Sequence, residues 1–493
     1  MKSLRLSKSR ILSYLQCPKR LYLQVHRPEL AETSSETERA FAAGHAVGDV
    51  ARGLFPGGIL IGHDHELAQA LRETREALTG ERPIYEATFE HDGVLIRADI
   101  LLPNGSGHQL VEVKSSTEIK DYHLPDCAVQ TWVTRNAGLR IDKVELAHID
   151  NSFVYPGNND YRGLLKHVDV TNKISPLLEQ VPRWVEECQR MLAGPVPEIS
   201  VGPQCSDPFA CPFLHYCAPL PETEYPVTLL PNDRHKRTAT ELGAEGFRDI
   251  REVPAGQLTN PRYEWIRRIT VNGKFELDPA AGNFLRQYPY PRYYLDFETI
   301  QFAVPIWAGT RPYQMLPFQW SCHIETAEGD LLHESYLGIG PEAPMRDFTE
   351  NLLHVLTTKE EGPIFVYNIG FEAARIREMA MMFPDLADKL TQLLDRLIDL
   401  KPIAQKYYYH PDMKGSWSLK AVFPTIEPDA HHGHLQEVQD GGMAMDAYLE
   451  IISPDTDAER KVYLTRELEE YCKLDTLAMV KIARFFQGLE QPC

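Results

Sequence analysis

Two hydrophobic rhythms alternate along this chain. Near the start, Ile11, Leu12, Leu15 and Tyr22 recur at helical spacing behind Ser9, a capping residue, and Pro18 is expected to bend that helix just after Cys17. A second helix is predicted over Thr37 to Phe55. The period then shortens to two, and Ile84 to Phe89, Val94 to Leu102 and Gln109 to Lys114 read as strands. The last two are joined by the turn Pro103-Asn104-Gly105-Ser106-Gly107. A helix over Tyr122 to Asn136, a strand over Lys143 to Ile149 and a helix near Ile174 to Leu192 follow. Between about Pro219 and Pro289 the pattern weakens, and Leu242, Phe247, Ile250 and Leu258 suggest a small helical connector.

Beyond Pro289 strands restart at Tyr293 to Phe297, Gln319 to Ile324 and Leu331 to Tyr336. A helix over Pro344 to Leu356, a strand over Ile364 to Tyr367 and a helix over Phe371 to Met382 come next, and a helix over Asp457 to Phe486 closes the pattern. Strands followed by helices, twice, describe an α/β protein of two domains, residues 1–220 and 289–493, with residues 221–288 between them.

Composition changes this picture little. With 43% hydrophobic and 25% charged residues the 493-residue chain has an ordinary globular make-up, and no apolar run reaches the ~18 residues of a membrane span. The formal charge of −19 argues against a coat of nucleic acid over the whole surface, but not against a nuclease, whose metal-binding groups are themselves acidic. Arg234, Lys236, Arg237, Arg267 and Arg268 gather in the connector, where a solvated linker is preferred over a nucleic-acid contact. Nine cysteines, an odd number, fit reduced thiols and a cytoplasmic setting.

Three of those cysteines are grouped. Gln204 to Cys217, QCSDPFACPFLHYC, carries Cys205, Cys211 and Cys217 in a short, proline-broken run. Thiolates gathered by a loop suit zinc or an iron–sulfur cluster, both of which take four ligands, and Cys17 supplies a fourth. Cys127, Cys188, Cys322, Cys472 and Cys493 read as ordinary thiols.

Carboxylates form the other pattern. In the first half Asp99 lies on one strand and Glu112-Val113-Lys114 on the next, so that Glu112 and Lys114 share a face and Val113 turns inward. Two carboxylates and a lysine can hold a divalent ion and stabilise charge at a phosphate. His45 is a candidate third ligand, and Gln130 lies downstream. In the second half Leu295-Asp296-Phe297-Glu298-Thr299 sets two acids on one strand face. Val366-Tyr367-Asn368-Ile369-Gly370-Phe371-Glu372 brings a third, and Tyr471 and Asp475 lie one helical turn apart. Four carboxylates of this kind can hold two divalent cations, with Tyr471 orienting the attacking water. Asp399 is expected to cap a helix.

These motifs carry two resemblances. Residues 1 to about 220 resemble the PD-(D/E)XK nucleases of the RecB type, in the iron–sulfur branch that includes the CRISPR-adaptation nucleases, where one cysteine precedes the nuclease core and three follow it. That resemblance implies a [4Fe–4S] cluster on Cys17, Cys205, Cys211 and Cys217, with zinc as the alternative. It also implies Asp99, Glu112 and Lys114 as catalytic residues, His45 as a further metal ligand and Gln130 as a motif residue. Thr134 stands where a tyrosine is usual in that family.

Residues 289–493 resemble the DEDD exonucleases of the tyrosine subtype, which have an RNase H-like fold. The resemblance implies Mg²⁺ or Mn²⁺ held by Asp296, Glu298, Glu372 and Asp475, with Tyr471 positioning water. Glu372 replaces the usual aspartate. Both resemblances together imply a two-headed nuclease acting on nucleic acid, DNA ahead of RNA, at single strands or ends, with 3′-to-5′ exonuclease activity in the second head. A bacterial family of uncharacterised proteins joins the two in this order. The rival reading is a nucleic-acid-binding scaffold with one or both heads inactive. An iron–sulfur redox protein is disfavoured because no G-x-G-x-x-G motif is present.

Overall fold

A computed structural model describes residues 5–32, 34–62, 66–218, 223–231, 237–358, 360–428 and 437–489. Arg234, Lys236 and Cys493 lie outside the described residues. The chain is mixed α/β and forms two units, residues 1–220 with 301–314, and residues 221–300 with 315–493. Among the described residues no helix is long and apolar enough to cross a membrane.

Unit 1 is built on a seven-stranded sheet of β1 (Leu6–Ser7), β2 (Ile59–Leu60), β3 (Ile84–His91), β4 (Val94–Asn104), β5 (Gly107–Lys114), β6 (Ile141–Ile149) and β7 (Leu165–Asp169). The order is β2-β3-β4-β5-β6-β7, with β1 pairing with the start of β4. β3, β4 and β5 form an antiparallel meander, and the helix His123–Asn136 carries the chain over so that β6 runs parallel to β5. Along β4, Val94, Ile96, Ala98 and Ile100 are buried, while Leu95, Arg97 and Asp99 turn to the other, half-buried face. Strand alternation thereby decides which side Asp99 occupies.

Three local expectations are corrected. The capping serine of the first helix, Lys8–Gln16, is Ser7, which accepts from the Arg10 amide at 3.3 Å, rather than Ser9. Cys17 is extended, with φ −161°, so Pro18 starts a separate helix, Pro18–His26, instead of bending one. The helix expected near Ile174 to Leu192 is two, Thr171–Leu178, which carries Pro176 inside it, and Val181–Ala193, which has Pro182 in its first turn, where a missing amide proton costs little. The strand β7 was not anticipated; its Leu-Lys-His-Val-Asp sequence is too polar to stand out, as befits a sheet edge.

Unit 2 contains β8 (Glu276–Leu277), β9 (Arg292–Ile300), β10 (Leu316–Glu325), β11 (Leu331–Leu337), β12 (Ile364–Val366), β13 (Leu397–Asp399) and β14 (Tyr408–Tyr409). Its five-stranded sheet has the order β11-β10-β9-β12-β13. β9, β10 and β11 are antiparallel, whereas β12 and β13 run parallel to β9 and to each other. The long helix Ala458–Phe486, capped by Asp457, packs across β9 and β10.

Residues 221–288, expected as a connector, belong to this unit. Val227, Leu242, Ile250, Tyr263 and Ile266 share a core with Ile403, Tyr408 and Met479. Arg237, Arg267 and Arg268 are engaged within this stretch. Arg267 is buried and pairs with Glu264, Arg268 pairs with Glu276, and Arg237 pairs with Glu241.

Candidate functional site

On β9, Leu295 and Phe297 enter the apolar core, and period two sends Asp296 and Glu298 to the opposite face. The helix Ala458–Phe486 brings Tyr471 and Asp475 to the same place, both buried. One carboxylate oxygen from each of Asp296, Glu298 and Asp475 lies within 4.8 Å of the others. Glu372 comes from the first turn of the helix Gly370–Met382; it is 2% exposed, and its Oε2 has no hydrogen-bond partner. Asp399 caps the helix Leu400–Tyr407 through the Lys401 amide at 2.9 Å, as expected. It also accepts from the Asn368 and Ile369 amides at 3.0 and 3.1 Å. That carboxylate therefore fixes the turn, with Asn368 at φ 83°, from which Glu372 enters.

Burial leads the electrostatics of this group, and charge crowding adds to it. Burial, then Asp475, Glu298 and Glu372, hold the Asp296 carboxyl well above the usual carboxylate range. Burial and then Asp475 push Glu298 up to about 8 against the opposing pull of Lys420, and burial foremost does the same for Glu372, also to about 8. Burial and then Asp475, Glu298 and Asp296 raise the Tyr471 phenol, which keeps its proton. Buried and half-buried acids with raised proton affinity and an orphaned acceptor oxygen are a donor set suited to hard divalent cations.

Two residues were missed in the sequence. Lys420 Nζ lies 5.0 Å from the centre of the Tyr471 ring and donates to the Gln439 carbonyl at 2.5 Å. Cys472, read as ordinary, is buried with its Sγ 3.7 Å from Asp296 Oδ2. Its place immediately after Tyr471 was the available signal; nothing local marked Lys420.

Unit 1 carries a second polar group. Glu112 and Lys114 meet on one face of β5 as expected, with Lys114 Nζ 2.6 Å from Glu112 Oε1 and 2.5 Å from Asp126 Oδ2. Gln130 donates to Glu112 Oε2 at 2.6 Å and to Asp126 Oδ1 at 3.1 Å. Asp99 Oδ2 accepts from the Val113 amide at 2.8 Å. Lys8, not anticipated, donates to both oxygens of Glu112, at 2.9 and 3.1 Å. Burial opposes the charge on Lys8 and on Lys114, but Asp126 and Glu112 outweigh it and raise both ammonium groups above the ordinary lysine value. His45 is exposed on the helix Ser35–Gly53 and is not part of this network. Thr134, four residues after Gln130, is buried and donates to the Gln130 carbonyl at 2.9 Å.

Cys17, Cys205, Cys211 and Cys217 line one pocket with Arg20 and Phe213. Gln16 ties the two ends of this arrangement, donating to the Gln204 carbonyl at 2.8 Å, 188 residues on, and to the Phe209 carbonyl at 2.6 Å. Burial lowers Arg20 against the pull of Cys211 and Cys17, and its Nε has no hydrogen-bond partner. Among the described residues no three of the four sulfurs lie within 4.8 Å of one another.

Fold and site define a mixed α/β protein with a buried acidic group of metal-ligand type in unit 2. Residues 293–418 match a family described as a domain of unknown function (DUF2779). The matched stretch holds Asp296, Glu298 and Glu372. The chain is similar to an uncharacterised protein of Ureaplasma parvum serovar 3, 23% identical over 237 residues, which cover 44% of this chain and 34% of that protein. It is also 25% identical over 211 residues to an uncharacterised protein of Mycoplasma pneumoniae, covering 39% of this chain and 32% of the relative. The matched part of the chain thus spans about a third of the length of these curated relatives.

Proposed function

We propose that the chain is a metal-dependent nuclease whose unit 2 hydrolyses phosphodiester bonds as a DEDD-type exonuclease of 3′-to-5′ polarity. The carrying observation is the meeting of Asp296, Glu298 and Asp475 within 4.8 Å. Glu372 stands outside that trio, but its buried Oε2 has no hydrogen-bond partner and its charge adds to the crowding on Asp296 and Glu298, which supports the same reading. Bound by these four residues, Mg²⁺ or Mn²⁺ would activate a water and stabilise the leaving oxygen. Tyr471 stays protonated, so its hydroxyl can donate a hydrogen bond and orient that water rather than deprotonate it. Lys420 adds positive charge beside Glu298, where a phosphate would approach.

Nucleic acid is the proposed partner, DNA ahead of RNA, as single strands or ends. Unit 1 is proposed as the PD-(D/E)XK-type head, with Asp99, Glu112, Lys114 and Gln130 as its working groups. The four-cysteine pocket is proposed to hold a [4Fe–4S] cluster, with zinc as the alternative. Reduced thiols of this kind support a cytoplasmic setting.

Digestion of end-labelled single- and double-stranded DNA and RNA with Mg²⁺ or Mn²⁺ tests the activity. Wild type is expected to shorten strands from the 3′ end, and Asp296→Ala to be nearly inert. Tyr471→Phe is expected to lose ~10²-fold in rate, the scale of one orienting group, while its Mn²⁺ affinity stays unchanged. Equal rates for Tyr471→Phe and wild type would remove the tyrosine from the mechanism. Inert wild type on every substrate would favour the scaffold reading.

A further inference from the structure

We propose that the Lys8 ammonium takes the place of a divalent cation in the acidic group of unit 1, so that this group binds a metal ion tightly only when Lys8 is withdrawn. The inference rests on reading that group as a cation site, and is independent of whether the chain cuts nucleic acid.

Lys8 is not a stray side chain on a loose end. It opens the helix Lys8–Gln16 directly after β1, whose Leu6 and Ser7 pair with Val94 and Leu95 of β4. Leu6 and Ile11, on either side of it, are almost fully buried. From this fixed base the ammonium contacts three carboxylates at once. It lies 2.9 and 3.1 Å from the two oxygens of Glu112, 3.7 Å from Asp99 Oδ1 and 3.9 Å from Asp126 Oδ1. One positive centre shared by three carboxylates, with both oxygens of one of them engaged, is how a hard cation would be held.

The carboxylates are therefore already compensated. Lys114 takes a second position against Glu112 and Asp126, so that two ammonium groups face three acids. Among the described residues Asp99 and Glu112 do not belong to a group of three ligand atoms within 4.8 Å, in contrast to unit 2. Yet the network holds one acceptor with nothing to accept from. Gln130 is 0% exposed, its Nε2 serves Glu112 and Asp126, and its Oε1 has no hydrogen-bond partner. A neutral oxygen of this type suits a hard cation, and no lysine proton reaches it here. An incoming ion would have to displace a charge-assisted pair to Glu112 and would meet the like charge of the ammonium it displaced.

The test counts Mn²⁺ ions by electron paramagnetic resonance titration of full-length protein carrying Asp296→Asn and Asp475→Asn, which disable the unit 2 group. This parent is compared with the same protein carrying Lys8→Met or Lys8→Gln, so that a folding failure of one leaves the other to decide. Circular dichroism verifies the fold. Removal of the ammonium is expected to add one ion bound at least tenfold more tightly than any in the parent. Lys8→Arg should add none, and Glu112→Gln on top of Lys8→Met should abolish the gain. A parent that already holds one tight ion, lost on Glu112→Gln, would overturn the proposal while preserving the cation site. Equally weak binding with and without Lys8 would overturn both.

Discussion

Mn²⁺ is expected to raise the melting temperature of the protein far more at pH 8 than at pH 6, and Asp296→Asn to abolish that increment while raising the metal-free melting temperature at pH 8. The sign follows from proton linkage. Glu298 and Glu372 titrate near 8 in the folded chain, because of burial and neighbouring charge. In an unfolded chain a glutamate titrates near 4.3. Between about 4.3 and 8 the folded state therefore holds more protons than the unfolded one, and the stability of the metal-free protein falls as pH rises through this window. Below about 4 this penalty is absent.

A divalent ion reverses the slope, since it binds the deprotonated carboxylates and releases their protons. Asp296→Asn removes one of the crowded charges and one ligand together, which is why a single substitution should stabilise the metal-free protein and deprive it of the metal response. For a domain of 150–250 residues ~1 kcal/mol moves the transition by roughly 2–4 °C, so effects of this kind are readable by scanning calorimetry. A metal increment independent of pH, or one retained in Asp296→Asn, would place the ions elsewhere.

Cys17→Ser is expected to have the largest effect on unit 1. Cys17 and Cys205 stand at the two ends of the domain and line the same pocket, and a group ligated by both closes a loop long enough for the entropic gain to be large. Anaerobically purified wild type should be brown, with absorbance near ~400 nm and about four irons per chain. Cys17→Ser should be colourless and should lose the stabilisation that ligand binding contributes to folding. Cys188→Ser is the control, since Cys188 is buried in the apolar core of the same unit and lines no part of that pocket. Iron content that survives in Cys17→Ser would remove Cys17 from the ligand set. Colourless wild type with one zinc per chain would replace the cluster by zinc.

Much of the second site was legible because each of its parts is written locally. Asp296-Phe297-Glu298 is read from strand alternation, Tyr471 and Asp475 from helical spacing, and Glu372 from a strand-to-helix turn. The same holds for Glu112 and Lys114, whose face is set by period two. What was not legible arises from contacts between distant segments. Lys8 reaches Glu112 across 104 residues, and nothing in Leu-Ser-Lys-Ser-Arg marks its lysine for a carboxylate cluster. Asp126 sits in a helix whose buried residues run nearly all the way round it, which hides a polar position. Residues 301–314 leave β9 and join unit 1, where Tyr161 donates to the Pro305 carbonyl at 3.1 Å; no composition shift announces the excursion. His45 shows the converse, a residue proposed on motif grounds that the fold leaves exposed on its helix.

The claim that the acidic group of unit 2 is a divalent-metal centre is tested most directly by anomalous diffraction from crystals soaked in Mn²⁺. Two peaks are expected among Asp296, Glu298, Glu372 and Asp475 in wild type, with at least one lost in Asp296→Asn. A wild-type map with no anomalous density among these four carboxylates would contradict the account.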